Sequence, residues 1–131
     1  MRKQSMLGAM LFLMMASGCA EPPSPEAPAS PEALTGTWRV DLRPTPDAEP
    51  YYQEFVVESV EGDTILGTFY GTAIEHGRLN TDWGQVRFAF PTADDSGPYN
   101  TSGVLNGTQI EGTTHSLGRD FLAVWSAERV P

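Results

Sequence analysis

From Thr35 onward, apolar and polar residues alternate, and no stretch of about eleven residues carries a helical period. Gly36 to Leu42 sets Trp38, Val40 and Leu42 on one face. Gln53 to Val60 reads as a second strand, closed by the turn Glu61-Gly62-Asp63. Thr64 to Ile74 reads as one long third strand, with Ile65, Phe69 and Ala73 on one side and Leu66, Tyr70 and Ile74 on the other. Gly67 and Gly71 inside it mark bending or close backbone approach, as at a barrel corner. His76-Gly77 turns the chain, Arg78 to Thr81 is a short fourth strand, and Asp82-Trp83-Gly84 turns it again. Gln85 to Thr92 alternates Val86, Phe88 and Phe90 against Arg87 and Ala89. After the turn Asp94–Gly97, two hairpins laid end to end run to Arg129. Asn106-Gly107 closes the first, as the strongest short hairpin signal, because both residues of such a turn take positive φ. Leu117–Asp120 closes the second.

The pattern predicts an all-β domain of seven or eight short antiparallel strands, a barrel or a sandwich. Every connection after residue 60 is short enough to join neighbours, and none is long enough for a Greek-key crossover. An up-and-down barrel over residues 35–131 is therefore favoured.

The first 34 residues are of another kind. Arg2 and Lys3 precede an apolar run from Met6 to Ala16. That run is shorter than the roughly 20 residues of a membrane-spanning helix and suits a signal peptide over residues 1–18. Ala16-Ser17-Gly18-Cys19 follows, and it resembles the lipobox of bacterial lipoproteins. The resemblance implies diacylglycerol on the Cys19 sulfur and a further acyl chain on its amine. Ala20 rather than Asp after the cysteine implies the outer membrane in a Gram-negative cell, so the expected location is the cell envelope, facing the periplasm. Several acyl chains anchor durably where one is marginal. Residues 19–34 then form a Pro/Ala/Glu-rich linker, with five prolines between Ala20 and Leu34. Extended at about 3.1 Å per residue, it reaches roughly 45 Å and spaces the domain from the bilayer.

Composition narrows the chemistry. Cys19 is the one cysteine, so no disulfide forms within the chain. The net charge is -9, from 8 basic and 17 acidic residues. This argues against a nucleic-acid partner, which calls for basic patches. Lys3 is the one lysine, and its loss with a leader removes Schiff-base chemistry. His115 and Ser116 are strand neighbours and point to opposite faces, so they make no nucleophile–base pair. His76 reads as solvated in a Glu-His-Gly turn. Asp94-Asp95-Ser96-Gly97 is ordinary turn chemistry rather than a calcium loop. No zinc spacing, phosphate loop or nucleophile elbow is present in the sequence. The expectation is a protein that is not an enzyme and carries no cofactor and no metal.

The start of the first strand, Gly36-Thr37-Trp38, resembles the Gly-x-Trp opening of lipocalins and avidin-like barrels. In lipocalins a basic residue near the end of the barrel packs across that tryptophan, which implies the same for Arg129, four residues after Trp125. Trp38, Trp125 and Arg129 are thus expected to be structural. An eight-strand barrel is just wide enough to be filled by side chains or to hold one small ligand. Trp83 in its turn is expected at the mouth, and Trp83, Tyr70 and Tyr99 are the candidate ligand contacts. Two functions are open: a membrane-tethered barrel that binds a small apolar or amphipathic molecule, or a filled barrel whose acidic face or Pro44–Pro50 loop docks an envelope protein or wall component. A cavity of a few hundred cubic ångströms favours the first, and a packed interior with an exposed apolar patch the second.

Overall fold

Nine strands form one antiparallel sheet in the computed structural model, which describes residues 29–131. The signal peptide, Cys19 and the linker up to residue 28 lie outside the described residues. The strands are β1 (Gly36–Asp41), β2 (Tyr52–Glu61), β3 (Thr64–Phe69), β4 (Thr72–Ala73), β5 (Gly77–Asn80), β6 (Val86–Asp94), β7 (Gly97–Asn106), β8 (Gln109–Ser116) and β9 (Phe121–Arg129). Each strand from β5 to β9 pairs with the next, β9 pairs with β1, and β1–β2 and β2–β3 complete the circuit back to β5 through β3. The result is a closed barrel of eight strands, with two-residue β4 hung on the outer end of β3. Closure leaves the barrel strands no long free edge.

Alternation does what it predicts. Trp38, Val40, Phe55, Val57, Phe88 and Phe90 all point inward and are buried, and the residues between them are more exposed. Phe55 is central: the rings of Phe69, Phe88 and Phe90 stand 5.7, 5.4 and 5.5 Å from it. Phe88, Gly103, Gly112 and Trp125 form one inward row across four strands. The two rings lie over the two glycines, where an added Cβ would meet Phe88 at 2.5 Å and Trp125 at 2.3 Å. Most of the barrel's length is therefore filled, each buried aromatic contributing about 1.5–3 kcal/mol.

Three local expectations change. The third strand does not run unbroken to Ile74. Tyr70 and Gly71 both take left-handed backbone, φ 54° and 73°, as the two central residues of a type I′ turn do, so the chain folds back at Phe69↔Thr72. The hairpin after β7 turns one residue later than expected: Asn106 pairs with Gln109, and Gly107 alone is left-handed, at φ 60°, matching turns that carry glycine first. The corner role fits Gly67 but not Gly71. Gly67 faces a bulge between Val57 and Ser59, and a Cβ there would lie 1.9 Å from the Val56 carbonyl oxygen.

Strand direction alternates, so the connections sort into two ends. Gly36, Arg129 and the connections around 62, 81–85 and 107 share one end. That end is sealed. The short helical turn Pro31–Leu34 tucks the fully buried Leu34 beneath Trp38, whose Nε1 donates to the Leu34 carbonyl at 2.9 Å. The connections 42–51, 70–76, 95–96 and 117–120 share the other end.

Candidate functional site

The unsealed end is built by three local devices. In the first, Asp41 pins both feet of the proline-bearing loop 42–51. Its carboxylate accepts the Arg43 backbone N–H at 3.0 Å, the Arg43 Nε–H at 2.8 Å and the Tyr51 N–H at 3.3 Å. The Leu42 N–H donates to the Tyr51 carbonyl at 2.8 Å, which draws the two feet together. The Arg43 side-chain hydrogen bonds hold the Asp41 carboxyl down at about 2.

In the second device, the left-handed turn at Tyr70-Gly71 carries the Tyr70 ring across to Tyr51. The two hydroxyls are hydrogen-bonded, and the rings meet edge-on at 6.3 Å between centroids. Gln53 Nε2 donates to the Tyr51 hydroxyl at 3.2 Å. The bond to Tyr51, and then partial burial, push the Tyr70 phenol above its usual range.

In the third, the turns after β6 and β8 interlock. Gly118 lies so close to the neighbouring turn that a Cβ would stand 1.8 Å from the Ser96 carbonyl oxygen, and the Leu117 N–H donates to the Pro98 carbonyl at 3.0 Å. This places Arg119, whose Nη2 donates to Ser96 Oγ at 3.0 Å and whose backbone N–H donates to Ser116 Oγ at 3.1 Å.

Together they frame a cup of about 200 Å³. Phe69, Thr92, Thr114 and Ala123 line it below, and Leu42, Tyr51, Tyr70, Tyr99, Arg119 and Phe121 line it above. Asp94 shares the wall and accepts the Ser96 N–H at 2.8 Å. Thr114 Oγ1 is already engaged, 2.9 Å from Thr101 Oγ1 and accepting the Trp125 Nε1–H at 3.0 Å. Among the described residues no buried side-chain nitrogen or oxygen lacks a partner.

Of the residues singled out from sequence, Tyr70 and Tyr99 line this cup. Trp83 does not. It sits between β5 and β6 at the sealed end, 79 % exposed, and lines neither cavity. Its expected place at the mouth is corrected by strand direction: the β5–β6 connection falls on the same end as Gly36. Trp38 is fully buried at the sealed end with the Arg129 guanidinium 4.4 Å above its ring, and Trp125 is buried beneath the cup. The sequence pattern does not single out Tyr51, Arg119 and Phe121, which also line the cup. The Tyr51-Tyr52 pair at a strand entrance is a signal for the first. Arg119 reads in sequence as a plain turn residue.

His115 is exposed on the outside of β8, whereas Ser116 is buried inside. His76 is exposed in its turn. Among the described residues no group of His, Cys, Asp or Glu is arranged to hold a metal ion, and no helix is long and apolar enough to cross a membrane. A second, shallower depression of about 950 Å³ lies on the outer wall, between Pro44 and Pro46 of the loop and the outward residues Arg87, Val104, Glu111 and Val124. Compared with protein-family models, curated proteins and solved structures, the chain matches none.

Proposed function

We propose that this protein is a lipid-anchored envelope module whose unsealed end binds a small apolar or amphipathic molecule. One observation carries the reading: the barrel is packed along most of its length yet keeps an aromatic-walled cup of about 200 Å³ at its unsealed end. Leu42, Phe69, Phe121 and Ala123 supply apolar wall, and the three tyrosines supply wall with a polar tip. The role is binding rather than catalysis, since no nucleophile, base and orienting group converge there.

The lipocalin- and avidin-like reading of Gly36-Thr37-Trp38 is supported by Arg129 lying across Trp38. The anchor rests on the lipobox resemblance at Cys19, with the outer membrane as its location. The cup lies at the end away from Gly36, where the barrel chain begins, so a tether at Cys19 would join the barrel at the end opposite the mouth. Native mass spectrometry of the full chain drawn from its own envelope is expected to reveal a co-purifying small molecule that an Ala123→Trp variant lacks. A chain that carries nothing, in both forms, sinks the binding reading. The anchor has its own test: Cys19→Ala is expected to leave the membrane fraction, and retention there refutes it.

A second reading is favoured by the outer wall. Leu122 and Val124 on β9 are 61 % and 70 % exposed, beside the depression under Pro44 and Pro46. In that reading the loop and this strip dock an envelope protein or wall component, and the cup is incidental.

A further inference from the structure

The size of the cup and the cation fixed at its rim narrow what it takes. An apolar cavity of roughly 150 Å³ holds a benzene molecule. A cup of about 200 Å³ therefore has room for one ring with a short substituent, or a chain of similar bulk. Pockets for drug-sized ligands run to about 300–1,000 Å³, so a long-chain lipid is not enclosed by this cup.

The depth of the cup favours carbon. Phe69 and Ala123 offer no hydrogen bond, and the Thr114 hydroxyl is committed to Thr101 and Trp125. A polar group sent to that depth loses its water and meets only the Thr92 hydroxyl as an uncommitted partner.

The rim favours an anion. Arg119 is the one cation lining the cup. Its position is set by the Gly118–Ser96 approach and by two hydrogen bonds to serines, not by a carboxylate. The ion pairs among the described residues are Arg39–Glu128 and Arg43–Asp41, so Arg119 has no acid within 4.0 Å. A guanidinium has five N–H donors in a planar fork, and the side chain of Arg119 spends one of them on Ser96. Asp94 on the same wall is turned into its own hairpin through the Ser96 N–H. The Tyr51–Tyr70 pair has two O–H groups and uses one between them, which leaves a second neutral donor at the rim.

Resting on the cup as the binding site, we infer that its ligand is a small organic carboxylate with a single-ring or short-chain apolar body, the body on Phe69 and Ala123 and the carboxylate on Arg119. A guanidinium fork matches a planar carboxylate better than a point cation would, and such a pair is charge-assisted.

The test titrates the full chain with phenylacetate and with phenylacetamide, which share shape and differ in charge. Phenylacetate is expected to bind about ten-fold tighter or more, the ratio expected of one hydrogen-bonded charge pair. Arg119→Gln is expected to bring that ratio close to one by weakening phenylacetate far more than phenylacetamide, with a native near-ultraviolet circular dichroism spectrum reporting that the cup is still folded. Arg119→Lys, keeping the charge without the fork, is expected to retain part of it. Ala123→Phe, which fills the cup, is expected to abolish binding of both. If both compounds bind the native chain equally and Ala123→Phe abolishes both, the cup stands and the carboxylate inference falls. If neither binds at millimolar concentration, or Ala123→Phe leaves binding intact, the cup reading falls and takes the inference with it.

Discussion

Arg129 and Trp38 face each other across the β1–β9 pair, and the guanidinium folds back 4.4 Å above the indole. The same group donates from Nη1 to the Thr35 carbonyl at 2.6 Å and from Nη2 to the Ala33 carbonyl. One side chain thus joins the last strand, the first strand and the helical turn that carries Leu34 into the core. Arg129→Met removes the cation and both donors but keeps much of the stem. The expected cost is about 1–2 kcal/mol, read as a lower denaturant midpoint with an unchanged slope. Arg129→Lys should recover only part, because an ammonium cannot reach two carbonyls as a fork while lying over a ring.

Beneath the cup, Thr114 serves two neighbours at once, Thr101 and Trp125. Thr114→Val keeps the shape and removes the acceptor, leaving the Trp125 N–H buried without a partner. The expected loss is about 1–3 kcal/mol, measured by chemical denaturation. Thr101→Val combined with it should cost less than the two single changes added, since the hydroxyls share one bond.

The pinned loop gives a pH signature of definite sign. Asp41 is depressed from 3.8 to about 2 in the folded chain, chiefly by the hydrogen bonds from Arg43. A depressed carboxyl stabilises above its unfolded value, and that contribution disappears as pH falls from 3.8 towards 2. The loop 42–51 is therefore expected to stay closed on Tyr51 at pH 5 and to open between about pH 4 and 2. Amide hydrogen exchange at Leu42 and Tyr51 reads this directly. Arg43→Gln should move the opening to higher pH, and an exchange profile unmoved by that change would refute the pinning role.

Gly118 tests how Arg119 is positioned. A methyl there has no space against the Ser96 carbonyl, so Gly118→Ala must push the two turns apart. Steric overpacking of this sort costs roughly 1–3 kcal/mol. The preference for phenylacetate over phenylacetamide is expected to shrink with it, although Arg119 itself is untouched. A destabilised variant with the preference fully intact would show that the turn contact does not position the guanidinium.

The barrel was legible in residues whose role is set by period alone. Trp38-x-Val40 and Val86-x-Phe88-x-Phe90 announce an inward face, and short connections announce neighbour pairing. Tyr70-Gly71 escaped because alternation continues through a tight turn as if through a strand, and only the paired left-handed dihedrals break it. A turn signal does not show at which end Trp83 lies: with directions alternating from β1, its connection falls at the sealed end. The cup was half legible. Tyr70 and Tyr99 stand out as aromatics near turns, whereas Arg119 acquires meaning only when Gly118 meets Ser96, a contact between turns more than twenty residues apart.

Both Gly36 and Arg129 sit at the sealed end, and the cup is lined at the other by the strand ends and by three connections, 42–51, 70–76 and 117–120. The molecule is thus divided like a handle and a working tip. Substitutions in loops 42–51, 70–76, 95–96 and 117–120 could retune what is captured while the seam that makes the barrel cohere is left alone, which makes this chain a scaffold open to diversification by evolution or by selection in the laboratory.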